Sequence, residues 1–212
     1  TKGTFVTSGE IQKTIHDFYG FPPELFAVEY PAKGNPELAK ETAELLSPTS
    51  VIETESWGLD HGAWSVIRHL YPEAQIPVIQ MSIDYTQPAQ YHFDLAKKLQ
   101  KLREKGILII GSGNVVHNLR MIDWKNINTV GAGWDWAIEA RAKTNEWILD
   151  GNFQNLIHFE KQGTALQNAI PTPDHYLPLI YTLGLKEKSE EISLFNDELI
   201  GGSLSMTSVK VG

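Results

Sequence analysis

The stretch from Pro88 to Ile110 constrains the fold more than any other part of the chain. Tyr91, Leu95, Leu99 and Leu102 recur at i, i+4, i+8 and i+11, which predicts one apolar stripe on a helix over 88–105, stopped by Gly106. Ile107-Leu108-Ile109-Ile110 follows at once. Four consecutive branched apolar residues suit a central strand buried on both faces. Further strands are expected at Thr4–Thr7, Ser50–Glu53 and Pro77–Ile83. Helices are expected from Pro36, capped by Asn35, from about Gly62 to Leu70, from Trp134 to Leu149, and from Pro173 to Leu183, capped by Thr172. The end reads as a hairpin, Ile192–Ile200 and Ser203–Val211 joined at Gly201-Gly202. Strand–helix–strand order with two crossovers predicts a single α/β domain over 1–212, with a mostly parallel central sheet flanked by helices and a C-terminal β-hairpin.

Composition narrows the function. The 212 residues carry 18 basic and 26 acidic side chains, a formal net charge of −8. The short basic stretch Lys97 to Lys105 lies along one helix among acids and amides, so no nucleic-acid partner is expected. There are no cysteines, which excludes disulfides, thiolate zinc sites and cysteine nucleophiles. A bound metal must therefore take His, carboxylate or water. No apolar run approaches the roughly 18 residues of a membrane helix, and no secretory signal is visible. A cytoplasmic enzyme with no membrane partner is the expectation. The chain opens at Thr1 rather than Met, so a processed N-terminus or a missing upstream piece is expected.

Seven histidines are present, and their settings separate them. His92, beside Gln90 and Asp94, reads as a solvated helix residue, His69 as the end of a short helix where a cation favours the dipole, and His158 has no special neighbour. His117 differs. It follows the expected strand end at Ile110 and the turn Gly111-Ser112-Gly113, and ligands collect outside the carboxyl ends of strands in open α/β sheets. That placement favours function over a histidine that merely bonds the loop backbone. His61 sits in Trp57-Gly58-Leu59-Asp60-His61-Gly62-Ala63-Trp64. Aromatic walls and an imidazole suit a flat organic ligand, and the same residues equally suit a packed Trp cluster. His175, bracketed by prolines, has Asp174 beside it as a candidate partner for its ring. His16 lies in the aromatic loop Ile15 to Phe21, where it could line a pocket rim or plug the core. Gly111-Ser112-Gly113 also mimics a dinucleotide loop, but Val116 stands where the third glycine belongs.

Trp57–Trp64, Gly111–Leu119 and Pro173–Pro178, together with His16–Pro22 and Gly202–Met206, resemble the class III extradiol ring-cleavage dioxygenases. The resemblance is closest to the branch of 4,5-DOPA dioxygenase extradiol-like proteins, and it spans nearly the whole chain in order. It implies a mononuclear Fe(II) site, in which purified proteins also carry zinc, that opens a small aromatic diol with O₂. It implies His175 as a metal ligand, His117 as the acid–base group and a further ligand, and His61 as a second catalytic histidine. From the residues themselves, His16, Trp57 and Trp64 are the candidates for binding the substrate, and Arg120 is the candidate for an anionic substituent. A His-Gly-Ser-Pro turn and a Ser-Ala-His-Trp segment supply two metal histidines in this family. Neither occurs in the sequence, and the expectation is that the chain as written lacks a competent iron site unless those groups come from an additional segment. Two alternatives accompany this reading: a zinc-dependent hydrolase-like enzyme on the same fold, and a non-catalytic metal- or small-molecule-binding protein. The oligomeric state is open.

Overall fold

In the computed structural model, which describes residues 1–212, β1 (Thr4–Thr7) lies parallel to β2 (Val51–Thr54), with Thr4 opposite Val51 and Thr7 opposite Thr54. Parallel neighbours need a crossover. It is supplied by the single turn α1 (Pro23–Phe26) and by α2 (Pro36–Leu45). The Asn35 side chain accepts from the Leu38 N–H at 2.9 Å and Pro36 fills the first helical position, as the sequence predicts. After β2, α3 (His61–Leu70) starts at the Asp60 cap, whose carboxylate accepts from the Ala63 N–H at 2.9 Å. Phe18, Tyr30, Ala32, Leu59, Trp64 and Ile67 form the core of this first compact unit, Thr1–Thr86.

The strand expected at 77–83 is reduced to one antiparallel bridge, Val6 with Met81. Two backbone bonds flank it, Thr7 N–H to the Gln80 carbonyl and Ser82 N–H to the Phe5 carbonyl, both 2.9 Å. The ladder stops because hydroxyls replace its next rungs. Thr7 Oγ1 accepts from Gln80 N–H and Ser82 Oγ accepts from Phe5 N–H, each at 2.9 Å.

The second compact unit, Gln87–Gly212, is built on α4 (Ala89–Arg103). Gly106, at φ +77°, follows its end, as expected. Its buried stripe is His92, Leu95, Ala96, Leu99 and Leu102. This corrects the reading of His92 as solvated: it lies at i−3 from Leu95, is 0% exposed, and its Nδ1 pairs with the Tyr181 hydroxyl at 3.0 Å. The outward face belongs instead to the Gln90–Asp94 hydrogen bond.

Next come α5 (Asp135–Leu149), α6 (Phe153–Ile157), α7 (Thr164–Ala169) and α8 (Leu177–Gly184). Helix α5 matches its expected span, and α6 and α7 are too short to announce themselves by periodicity. Helix α8 begins four residues later than expected, because Pro173 to Tyr176 form a turn in which Tyr176 and Leu177 N–H both bond the Pro173 carbonyl. It packs on α4, and Gly184 lets the backbones close in: a Cβ there would lie 2.6 Å from the Phe93 carbonyl oxygen and 2.8 Å from Ala96 Cβ.

The run 107–110 is not a strand. Ile107 N–H folds back onto the Leu102 carbonyl, no backbone hydrogen bond engages Leu108, Ile109 or Ile110, and Leu108 is 65% exposed. These residues line an open groove with Phe195 and Val209–Val211. A branched apolar run marks an apolar face, whereas a strand also needs a ladder partner, and no strand of the chain is hydrogen-bonded to this run.

The C-terminal hairpin is present in two pieces. β3 (Ile192–Phe195) pairs antiparallel with β6 (Ser208–Val211), and β4 (Leu199–Ile200) pairs with β5 (Leu204–Ser205). Asn196, at φ +49°, interrupts the ladder between them, and Gly201-Gly202 make the tip. The class is therefore α/β as expected, with a smaller sheet content than the sequence suggests. No helix is long and apolar enough to cross a membrane.

Ile180, fully buried on α8, tests this packing. Ile180→Ala should destabilise the fold by about 2–4 kcal/mol, read from the urea midpoint at unchanged m-value.

Candidate active site

Within Gln87–Gly212, two segments far apart in sequence are forced into contact by missing side chains. A Cβ on Gly113 would run into the His175 carbonyl, and one on Gly111 would stand 2.5 Å from the Pro178 carbonyl oxygen. The two glycines thus serve backbone-to-backbone approach rather than a phosphate cradle. Asn114 N–H then bonds the His175 carbonyl at 2.8 Å.

From there the chain is pinned on both sides. Val116 N–H donates to Ser205 Oγ at 3.1 Å, and Ser205 N–H to the Val116 carbonyl at 3.0 Å. His117 N–H reaches the Ala169 carbonyl at the end of α7, 2.8 Å away, and His117 bridges Leu204 on β5. His175 is fixed from its own side. Its neighbour Tyr176 is buried, donates its hydroxyl to the Leu156 carbonyl at 3.0 Å and packs its ring on Phe159.

The result is a pair of stacked imidazoles, His117 and His175, with ring centres 3.9 Å apart and planes within 9°. Asp174 Oδ2 sits 2.7 Å from His175 Nδ1. The carboxylate can only accept, so Nδ1 carries the hydrogen and Nε2 of a neutral His175 keeps its lone pair, the orientation usual for a metal-binding imidazole. Burial pushes the Asp174 carboxyl up, but the Thr172 hydrogen bond and the His175 ring outweigh it and hold it below the usual range. Burial, reinforced by the His175 imidazole, holds His117 below the ordinary histidine value of 6.5, against a smaller opposing pull from Asp174. His117 is therefore a neutral ring at pH 7, able to take a proton.

For the expected iron the donor set falls short. No group of three or more His, Asp or Glu side chains is placed to hold a metal ion. The chain's own residues offer two imidazoles, fewer than the three protein ligands of a facial site, and do not by themselves fit the group.

In Thr1–Thr86, a second set of predicted residues converges. Rings of Phe18, Phe26 and Trp64 surround His16 at 5.8–6.3 Å. His16 Nε2 donates to the Val28 carbonyl at 2.9 Å, so this ring is tied to the backbone. Trp64 is 1% exposed and gives its indole N–H to the Ile15 carbonyl at 2.9 Å, supporting the cluster from within. Trp57 takes no part in these ring contacts and is half-buried.

His61 occupies the first position of α3 and meets Phe18 edge to face at 5.7 Å. Asp17 Oδ1 accepts from its Nδ1 at 2.8 Å and from its backbone N–H at 3.0 Å. Asp17 is the residue that sequence reasoning missed. It stands beside His16 in the motif, and only the fold shows that its partner is 44 residues away. Arg120 belongs to Gln87–Gly212, on a short 3₁₀ turn after His117, where it is exposed and its guanidinium has no protein partner.

The sequence profile described as the catalytic LigB subunit of aromatic ring-opening dioxygenase matches residues 2–204. The 4,5-DOPA dioxygenase extradiol of Escherichia coli (strain K12) is 43% identical over 215 residues, covering 100% of this chain and 78% of the relative. The Beta vulgaris protein of the same name is 33% identical over 204 residues, covering 95% and 75%. A crystal structure of an uncharacterized protein from Escherichia coli K12 superposes with a TM-score of 0.81 at 38% identity, covering 100% of this chain and 81% of that one. The chain belongs to the LigB family of aromatic ring-opening dioxygenases.

Two outcomes test the paired imidazoles. Gly113→Ala should force the 111–117 turn off His175, at a cost of about 1–3 kcal/mol and with loss of the ring-current shifts of both histidines in the NMR spectrum. Because folded His117 lies below its unfolded value, the unfolded chain takes up the proton first. Stability therefore falls as pH drops from about 6.5 toward the folded value. His117→Asn should remove that part of the acid sensitivity, measured by urea unfolding at pH 7.5 and 5.

Proposed function

We propose that residues 1–212 act as one extradiol ring-opening catalytic domain that cleaves a small aromatic diol with O₂, both oxygen atoms entering the ring-opened product. The observation that carries this reading is the His117–His175 stack, with Asp174 behind one ring and the other kept neutral by burial. Fe(II) is the cofactor proposed for activity, with zinc as an alternative occupant; of the two imidazoles His175 is the donor, and His117 keeps its lone pair for the proton. When bound, such a metal supplies Lewis acidity toward the diol and electrons for O₂.

The chain's own part is proton handling and binding. His117 takes the proton from a diol hydroxyl and returns it as the product forms. His61 is the second catalytic imidazole. In Gln87–Gly212 the unpaired Arg120 guanidinium suits a carboxylate; in Thr1–Thr86 the half-buried Trp57 and His16 suit an aromatic ring, while the buried Trp64 supports His16 from within and does not itself meet a ligand.

One observation favours a second reading, a metal- or small-molecule-binding protein without turnover: only two imidazole donors converge. Anaerobic loading with Fe(II), followed by O₂ and a series of catechols, should yield a yellow muconic semialdehyde with one O₂ consumed per ring. His117→Ala should lower kcat by about 10²–10⁴-fold. Calorimetric binding of the diol with no oxygen uptake would identify the second reading instead, and hydrolytic turnover with zinc would identify a hydrolase.

A further inference from the structure

His61 is not free to choose which nitrogen carries its hydrogen. Its Nδ1 lies 2.8 Å from Asp17 Oδ1, and the same oxygen takes the His61 backbone N–H at 3.0 Å. A carboxylate accepts and cannot donate. Burial pushes the Asp17 carboxyl up, but the hydrogen bonds from the His61 ring and backbone outweigh it, so it stays ionised below the usual carboxylate range.

Three features hold the dyad in place. Asp60 caps α3 through Ala63 N–H, and Gln80 grips Asp60 twice, donating to its carboxylate at 2.6 Å and accepting from its N–H at 2.9 Å, so the helix start that carries His61 is fixed. Phe18, the neighbour of Asp17 in sequence, is buried and stands edge-on to the imidazole. Both dyad side chains remain accessible, 44% and 45% exposed, and His61 Nε2 meets no protein partner.

We propose that Asp17 is a positioning residue that locks His61 as its Nδ1–H tautomer, so that Nε2 presents a lone pair to a hydroxyl of the aromatic diol. The inference rests on the ring-opening reading for the identity of that hydroxyl; the dyad itself does not. Free histidine prefers the other tautomer, with the hydrogen on Nε2, so the lock has a spectroscopic signature. It also fixes the direction of the bond: the substrate oxygen donates and His61 accepts, the polarity of a base rather than of an electrophile.

The test uses the whole chain labelled with ¹⁵N at histidine, at a pH where His61 is neutral. Long-range ¹H–¹⁵N correlation should report protonated Nδ1 in the wild type. Asp17→Ala should convert the signal to protonated Nε2. Asp17→Asn, whose amide oxygen still accepts, should restore protonated Nδ1. In turnover, Asp17→Ala should lower kcat at least about tenfold with little change in KM, and Asp17→Asn should recover part of it. Protonated Nε2 in the wild type, or one pattern in all three proteins, overturns the proposal. The NMR arm needs no turnover, so the failures separate. An intact tautomer pattern in a protein that opens no ring sinks the reaction and leaves the lock. Ring opening without the pattern sinks the lock alone.

Discussion

The approach of the 111–113 turn to the 175–178 turn is the contact on which the rest of the His117–His175 arrangement depends. It is set by an absence of atoms: neither Gly111 nor Gly113 can carry a Cβ without striking the opposite backbone. Once the turns touch, a short series of backbone bonds fixes everything downstream, Asn114 on His175, Val116 on Ser205, and His117 on Ala169. The backbone that carries both imidazoles is therefore placed by main-chain bonds and by the ends of α7 and α8, and the His175 ring is then oriented by Asp174. Rigid support of this kind is what proton transfer requires, because the donor and acceptor must meet within a few tenths of an ångström.

Charge follows from the same packing. A carboxylate stands behind His175 and another behind His61, each on Nδ1. The two carboxylates are held ionised by different partners, Thr172 and His175 in one case and the His61 ring and amide in the other. His117 has no such support and lies in a half-buried place beside another imidazole, which keeps it uncharged. Three identical side chains thus meet different electrostatic surroundings.

Much of this was legible in the sequence, and the reasons are local. The α4 stripe, the α5 span, β1, the Asn35 cap and the hairpin with its Gly201-Gly202 tip all follow from periodicity and capping over short windows. His117 was legible because glycines and a strand-like run preceded it, although that run is not a strand and the glycines do a different job. The misreadings have a common cause. Whether 107–110 or 77–83 joins a ladder depends on partners elsewhere in the chain, and the polar neighbours of His92 concealed that its own position falls on the buried stripe. Asp17 was invisible for the same reason: a carboxylate next to one histidine declares nothing about a bond to another far along the chain.

The join between β1 and the 77–83 segment has a consequence of its own. Half of its rungs are made by the oxygens of Thr7 and Ser82 rather than by carbonyls. Main-chain rungs tolerate nearly any substitution, but a seam stitched by hydroxyl groups stores its cohesion in residue identity. Replacing Thr7 with its isostere Val, or Ser82 with Ala, would keep shape and volume yet leave the amides of Gln80 and Phe5 dry, so here a methyl is the less conservative choice.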